Sequence, residues 1–108
     1  MLTRSDSEPP LKYRLKFIPE ALAEWNALDG SVKEVMRKAL KKRLINPHVP
    51  GCRLKSDLNG CYKIKLRQQG YRLIYVVEEE FLIVLVLAVN KREDAVVYRA
   101  AISRLTNH

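Results

Sequence analysis

The sequence predicts an α+β domain with a mostly antiparallel four-stranded sheet, an N-terminal helical hairpin and a C-terminal helix, in the order β-α-α-β-β-β-α. Three observations predict it: an early segment alternates between apolar and basic residues, two segments with helical spacing follow, and three apolar segments are then separated by short polar turns. Hairpin links of that length make the last strands antiparallel. Helices that cover such a sheet give an α+β domain.

The chain is expected to hold one domain. Residues 1–10 are polar and end in two prolines, which predicts a flexible N-terminal tail. Residues 11–108 are expected to form the domain, because 108 residues suffice for one hydrophobic core. No apolar run approaches the ~20 residues of a membrane helix. We therefore expect a cytoplasmic protein without a membrane partner.

The first half of the domain predicts one strand and two helices. Residues 12–17 alternate, which is typical of a half-buried strand. Pro19 suits the first turn of the helix that follows. Ser31 and Glu34 have the spacing of a capping box and open the second helix, which ends before Pro47.

The second helix is amphipathic and strongly basic. Its apolar stripe is expected to pack on the sheet and comprises Val32, Val35, Met36, Ala39, Leu40 and Leu44. Its other face carries Lys33, Arg37, Lys38, Lys41, Lys42 and Arg43. Such a face is usually only solvated, but a net charge of +8 also favours contact with a polyanion, nucleic acid before an anionic membrane.

The second half predicts a loop over residues 47–60, strands over 61–67, 71–78 and 81–89, and a helix over 94–105. The run 81–89 is apolar throughout, which is typical of a central strand covered on both faces. In the strand 61–67 the residues Tyr62, Ile64 and Leu66 share the core face, and Lys63, Lys65 and Arg67 share the opposite face.

These cations predict a candidate site. A regular hairpin brings Arg72 into reach of Lys63 and Lys65, while Arg92 follows the central strand and Tyr98 lies in the next helix. Each of these residues has an ordinary alternative, as a solvated or ion-paired surface cation or as a packed tyrosine. Together they fit metal-free RNA cleavage, in which the ribose 2′-OH attacks its own phosphate while cations neutralise the phosphorane.

Other nuclease chemistries fit the sequence less well. The only histidines are His48, in a loop, and His108, at the end of the chain, which argues against a two-histidine mechanism. The acidic residues lack the spacing of a two-metal site. Cys52 and Cys61 do not form a C-x-x-C pair, so we expect reduced thiols and neither a metal nor a cofactor.

These segments resemble a known family. CYKIKLR at residues 61–67 and GYRLIY at residues 70–75 closely resemble the core of RelE-type toxins, in the RelE/ParE superfamily. KRE at residues 91–93, with Tyr98 beyond it, is similar to that family's C-terminal motif. The resemblance extends from about Tyr13 to Leu105.

The resemblance implies the toxin of a type II toxin–antitoxin system, which cleaves mRNA in the ribosomal A site and leaves a 2′,3′-cyclic phosphate. It places catalytic positions on Lys63, Lys65, Arg72, Arg92 and Tyr98. The lysines and Arg72 would organise the phosphate and the proton transfers, Arg92 would stabilise the transition state or the leaving group, and Tyr98 would stack on a base. The general base is left open.

The implied partners are the ribosome with its mRNA, a RelB-like antitoxin, and operator DNA only through the toxin–antitoxin complex. The basic face of the second helix, with Arg67 and Lys91, would contact ribosomal RNA. Two alternatives remain at this point. A ParE-like relative would share the fold and poison gyrase, and a plain nucleic-acid-binding module would use the same cations without catalysis.

Overall fold

The computed structural model describes residues 11–91 and 94–107. The expected tail at residues 1–10 and the candidate residue Arg92 lie outside the described residues. In chain order the elements are β1 (Arg14–Phe17), α1 (Pro19–Asn26), α2 (Gly30–Ile45), β2 (Cys61–Leu66), β3 (Tyr71–Glu78), β4 (Ile83–Asn90) and α3 (Asp94–Asn107). The predicted α+β class and the order of its elements are confirmed.

The strands form one four-stranded sheet in the order β1-β4-β3-β2. β2 pairs with β3 and β3 with β4, both antiparallel, as the hairpin links predict. β1 is the edge strand beside β4 and pairs with it in parallel. The apolar strand β4 is therefore central, as its unbroken apolar run predicts.

Strand register separates the two faces of the sheet. Tyr75 lies on the face of α1 and α2, because its hydroxyl accepts a hydrogen bond from Arg43 of α2. Ile74 therefore points to the opposite face, where it is fully buried beside Ala88. α3 packs on β3 and β4 and covers this second face. The sheet thus has helices on both sides, and the core lies in two layers.

The helical hairpin is fixed to the sheet by large apolar side chains. Trp25 is buried and its ring lies 5.3 Å from that of Phe17 on β1. Met36 and Leu40 of α2 are almost fully buried. Leu54 reaches the core from the loop, as predicted, and is 8% exposed.

The turn between β3 and β4 differs from the prediction. β4 begins at Ile83 rather than at residue 81, and the side chain of Phe81 is 61% exposed. The tight turn continues through Leu82, which has a left-handed φ of 54°. The peptide carbonyl of Leu82 then accepts a hydrogen bond from the backbone N–H of Arg14. Residues 81 and 82 are apolar, so the hydrophobic pattern assigns them to the strand although they belong to the turn.

Two predictions about α2 are wrong. The helix begins at Gly30 with Asp29 as its N-cap, and no side chain caps it, so Ser31 and Glu34 do not form a capping box. Glu34 instead pairs with Arg37. Val35, assigned to the apolar stripe, is exposed. Val32 and Met36 are buried and define the face toward the sheet, and Val35, one position before Met36, is turned about 100° away from that face.

In the described ranges, no helix has both the length and the apolar composition needed to span a membrane.

Candidate active site

A row of polar side chains crosses three strands at one end of the sheet. Lys65 of β2 lies directly opposite Arg72 of β3, and Arg72 lies opposite Asn90 of β4. Side chains paired in this way point to the same face, with Cβ atoms about 5 Å apart. Lys63, two residues before Lys65, shares that face. We call Lys63, Lys65 and Arg72 the cation row.

The protein covers part of the cation row, and solvent still reaches the rest of it. All three side chains are half-buried, and Lys65 and Arg72 each have polar interactions. Half-buried Lys and Arg side chains keep their charged ends in water while their stems cover apolar surface. Ile74, opposite Lys63, is fully buried on the face that α3 covers. Cations placed directly opposite each other repel, so a bound anion stabilises this arrangement. A phosphodiester matches it, because Arg offers paired N–H donors and Lys a compact charge.

The remaining predicted catalytic positions lie on the C-terminal side. Tyr98 belongs to α3, the helix on the same face as the cation row, and is half-buried against the core. Lys91 directly follows β4 and is exposed. Arg92 lies outside the described residues.

The predicted RNA-contacting cations of α2 divide into two groups. Arg37, Lys38, Lys41 and Lys42 are exposed, and Lys33 is half-buried. Arg37 bonds to Glu34 at 2.9 Å and lies 6.0 Å from the centre of the Trp25 ring. Arg67 is also exposed, at the turn after β2. Arg43, in contrast, points into the protein.

Arg43 joins α2 to the edge of β2. Its guanidinium donates to the backbone carbonyl of Lys63 at 3.1 Å, to the hydroxyl of Tyr75 at 2.9 Å and to the Sγ of Cys52 at 3.3 Å. The Tyr75 hydroxyl donates in turn to the carbonyl of Pro47 at 2.8 Å. Burial raises the pKa of Tyr75, although the Arg43 charge opposes this, so the phenol remains a donor. Sequence reasoning assigned Arg43 to the solvated face and missed these contacts.

A second ion pair holds α1 and α3 against β4. Arg104 donates to Glu24 Oε1 at 2.8 Å and Oε2 at 2.9 Å, and also to the Leu87 carbonyl at 2.9 Å. The backbone N–H of Val89 donates to Glu24 Oε1 at 2.9 Å. This pair therefore satisfies the backbone of β4 beyond the end of β1. The hydrogen bond to Glu24 raises the pKa of Arg104, against the effect of burial.

His48 lies on the other side of the sheet from the cation row, with its ring 5.9 Å from that of Tyr62. Glu79 accepts from the Tyr13 hydroxyl at 2.8 Å, and His48 Nε2 lies 2.6 Å from the same carboxylate oxygen. Burial and the bonded Glu79 raise the pKa of Tyr13. Glu79 follows the far end of β3, roughly 20 Å along the strand from Arg72. This cluster ties β1 to the loop and the β3–β4 turn.

Both cysteines are free thiols. Cys52 is half-buried beside Arg43, whereas Cys61 is buried at the start of β2, and burial raises the pKa of the Cys61 thiol to about 11. Cys52 contacts the Arg43 guanidinium on the other side of the sheet from the cation row. Cys61 shares the face of Lys63 and Lys65 by strand parity, but its side chain is fully buried.

Comparisons with known proteins agree with this fold. Residues 15–96 match the family described as the ParE toxin of the type II toxin–antitoxin system parDE. The mRNA interferase toxin RelE of Escherichia coli (strain K12) is 41% identical over 95 residues, which cover 88% of this chain and 99% of that protein.

Solved structures of RelE are similar over the same region. The free state of an E. coli RelE mutant aligns with a TM-score of 0.79 and 40% identity, covering 88% of this chain and 99% of that chain. The toxin in the intact E. coli RelBE toxin–antitoxin complex aligns with a TM-score of 0.72 and 42% identity, covering 75% and 98% of the two chains. The chain therefore belongs to the RelE/ParE family of type II toxin–antitoxin toxins, and within it to the RelE type.

Proposed function

We propose that this toxin is an endoribonuclease that cleaves mRNA in the ribosomal A site and thereby stops translation in the cytoplasm. The observation that carries the proposal is the register pair of Lys65 and Arg72, which places two cations side by side on one face with Lys63 beside them. The name of the similar E. coli protein, mRNA interferase toxin, supports the same activity.

The proposed reaction needs no metal. The ribose 2′-oxygen attacks the adjacent phosphorus, its proton passes to a base, and the bond from phosphorus to the 5′-oxygen breaks. The 5′-oxygen takes up a proton, which leaves a 2′,3′-cyclic phosphate and a 5′-hydroxyl end. Arg72 donates to the non-bridging oxygens, and the developing negative charge is neutralised by the two lysines.

Arg92 and Tyr98 complete the proposed set. Arg92 follows the exposed Lys91 at the end of β4 and would stabilise the leaving group or the transition state. Tyr98 lies on the helix that borders the cation row, where a phenol ring can stack on an mRNA base and orient it. The ion pair of Glu24 and Arg104 holds that helix on β4.

The exposed cations of α2, together with Lys33, Arg67 and Lys91, would contact ribosomal RNA. These charges lie outside the cation row, so they supply affinity rather than chemistry. A RelB-like antitoxin is the proposed protein partner, supported by the RelB antitoxin bound to the similar E. coli toxin. Operator DNA would be bound only by the toxin–antitoxin complex.

Gyrase poisoning is the alternative that the family description raises, because that description names ParE. The cation row argues for cleavage, since a gyrase poison has no need for adjacent cations and a tyrosine on one face. A non-catalytic RNA-binding module would need the cations but no particular tyrosine.

The test is to express the toxin in cells and map mRNA 5′ ends. Cuts within codons are expected for the parent chain and for Lys16→Ala, a control that removes an exposed lysine on β1. Lys65→Met, Arg92→Ala and Tyr98→Ala are expected to abolish the cuts while the proteins remain folded. DNA damage signalling without cuts would support gyrase poisoning. Growth arrest that Arg92→Ala leaves unchanged would contradict the endoribonuclease.

A further inference from the structure

A cleft of ≈ 550 Å³ lies where β3 begins and β4 ends. It is lined by Glu24 of α1, by Ala27 and Leu28 just after that helix, by Tyr71 of β3, and by Val89, Asn90 and Lys91 at the end of β4. Tyr71 directly precedes Arg72, and Asn90 is the register partner of Arg72. The cleft and the cation row thus meet at the end of the sheet, on opposite sides of it.

The walls of the cleft suit a flat, uncharged ring. Tyr71 is half-buried, and the apolar side chains of Leu28 and Val89 are buried at the same cleft. Aromatic rings stack on every nucleobase, and this stacking stabilises single-stranded RNA on proteins. The volume lies in the usual range for pockets that bind small ligands.

The charges around the cleft favour a base over a phosphate. Glu24 lines it with a carboxylate whose charge is paired with Arg104. Oε1 accepts hydrogen bonds from Arg104 and the Val89 N–H, whereas Oε2 accepts one from Arg104 and has acceptor capacity left. A carboxylate oxygen of this kind can accept a hydrogen bond from the amino group of a base, as Glu does with cytosine, but offers no donor to a phosphate. Lys91 is exposed at the rim, where a cation can meet the phosphate that carries the base.

We propose that this cleft binds the nucleobase next to the scissile phosphate, stacked on Tyr71. The RNA crosses the end of the sheet, with the scissile phosphate on the cation row and the neighbouring base turned over the strand end into the cleft. Tyr71 is then a residue that determines sequence preference around the cut. The inference rests on the proposed endoribonuclease function and adds a second recognition element to it.

The experiment combines protein variants with abasic RNA. Short RNAs blocked by 2′-O-methyl groups carry one abasic residue at successive positions, and their affinities are measured at low salt. For the parent protein we expect one abasic position to weaken binding about tenfold, the size of one stacking contact. Tyr71→Leu should weaken binding of the intact RNA equally and lose the abasic effect, as a double-mutant cycle requires.

Control variants separate stacking from damage to the fold. Tyr71→Phe keeps the ring and is expected to behave as the parent. Phe81→Leu removes an exposed aromatic ring at the far end of the sheet and is also expected to match the parent. An abasic effect of the same size in the parent and in Tyr71→Leu would overturn the cleft assignment.

Mapped cuts in cells distinguish this inference from the proposed function. If the parent and Tyr71→Leu both cut with the same flanking-base preference, the cleft assignment fails and the endoribonuclease stands. A changed preference in Tyr71→Leu supports the assignment. If the parent makes no cuts, the proposed function fails, and the binding cycle alone then decides whether the cleft holds a base.

Discussion

Arg43 of α2 donates a 3.1 Å hydrogen bond to the backbone carbonyl of Lys63 on β2. This bond closes part of a sheet edge that would otherwise face water, and it connects the basic helix to the strand that bears two residues of the cation row. The same guanidinium holds Tyr75, whose hydroxyl reaches the carbonyl of Pro47. The position of β2 therefore depends on Arg43, whose charge lies on the other side of the sheet from the cation row.

We expect Arg43→Ala to lower the free energy of unfolding by about 1–3 kcal/mol, because it leaves buried polar partners unsatisfied. Cleavage should fall as well, since β2 loses its support. Urea unfolding and a cleavage assay measure the two effects. Lys42→Ala, an exposed neighbour, should change stability by no more than about 0.5 kcal/mol. Equal stability of the two variants would show that the Arg43 contacts contribute little.

The exposed cations of α2, unlike Arg43, should contribute to RNA binding and not to stability. Lys38→Ala combined with Lys42→Ala is expected to leave stability almost unchanged but to weaken binding to the ribosome. Each lost phosphate contact should reduce the slope of log affinity against log salt by about 1. Ribosome binding measured from low to moderate salt tests this. An unchanged slope would place the ribosomal RNA elsewhere on the toxin.

Lys65→Met should separate stability from activity. Lys65 lies opposite Arg72, and like charges in that position repel, so the relief of this repulsion offsets the loss of the polar interactions of Lys65. We therefore expect the free energy of unfolding to remain within about 0.5 kcal/mol of the parent. Cleavage should fall by about 100-fold or more. Added inorganic phosphate should raise the melting temperature of the parent more than that of Lys65→Met, because a bound anion stabilises the folded state. Equal phosphate effects would argue against an anion site at the cation row.

The cation row was accessible to sequence reasoning because strand parity is a local property. Lys63 and Lys65 are two residues apart, and a short turn sets the register that brings Arg72 opposite Lys65. Parity also assigned Tyr62 and Ile64 correctly to the core. A prediction of this kind needs only the strand and the hairpin to be right.

The contacts that support the site were not accessible in this way. Arg104 and Glu24 are 80 residues apart, and their other partners are backbone groups of Leu87 and Val89, which no side-chain pattern reveals. Arg43 resembles its solvated neighbours in the helix and differs only in its tertiary partners. The parallel pairing of β1 with β4 likewise depends on how the helical hairpin packs, because no short turn connects these strands.

The contributions of Glu24 and Arg104 to the free energy of unfolding should be strongly coupled. Arg104→Met leaves a largely buried carboxylate without its cation and the Leu87 carbonyl without its donor, so we expect a loss of about 2–4 kcal/mol in the free energy of unfolding. Glu24→Gln keeps an acceptor for the Val89 N–H and should cost less. The double variant should lose about 1–3 kcal/mol less than the sum of the single losses. Additive losses in urea unfolding would contradict the coupling.

Alkaline pH should destabilise the toxin partly through Cys61. Burial raises the pKa of its thiol to about 11, above the value of about 8.5 for an exposed cysteine. The folded state therefore holds this proton more tightly than the unfolded state. The resulting stability is fully present below about pH 8.5 and is lost as the pH rises towards 11.

Cys61→Ala tests this effect by urea unfolding at several pH values. The variant should lose less stability than the parent between about pH 9 and 11, while the buried tyrosines titrate equally in both proteins. Thiol labelling of the folded protein gives an independent measurement. Cys52 should react first because it is half-buried, and Cys61 should react only as the protein unfolds. Parallel pH profiles of the two proteins, or labelling of Cys61 as fast as Cys52, would show that the thiol is accessible in the folded state.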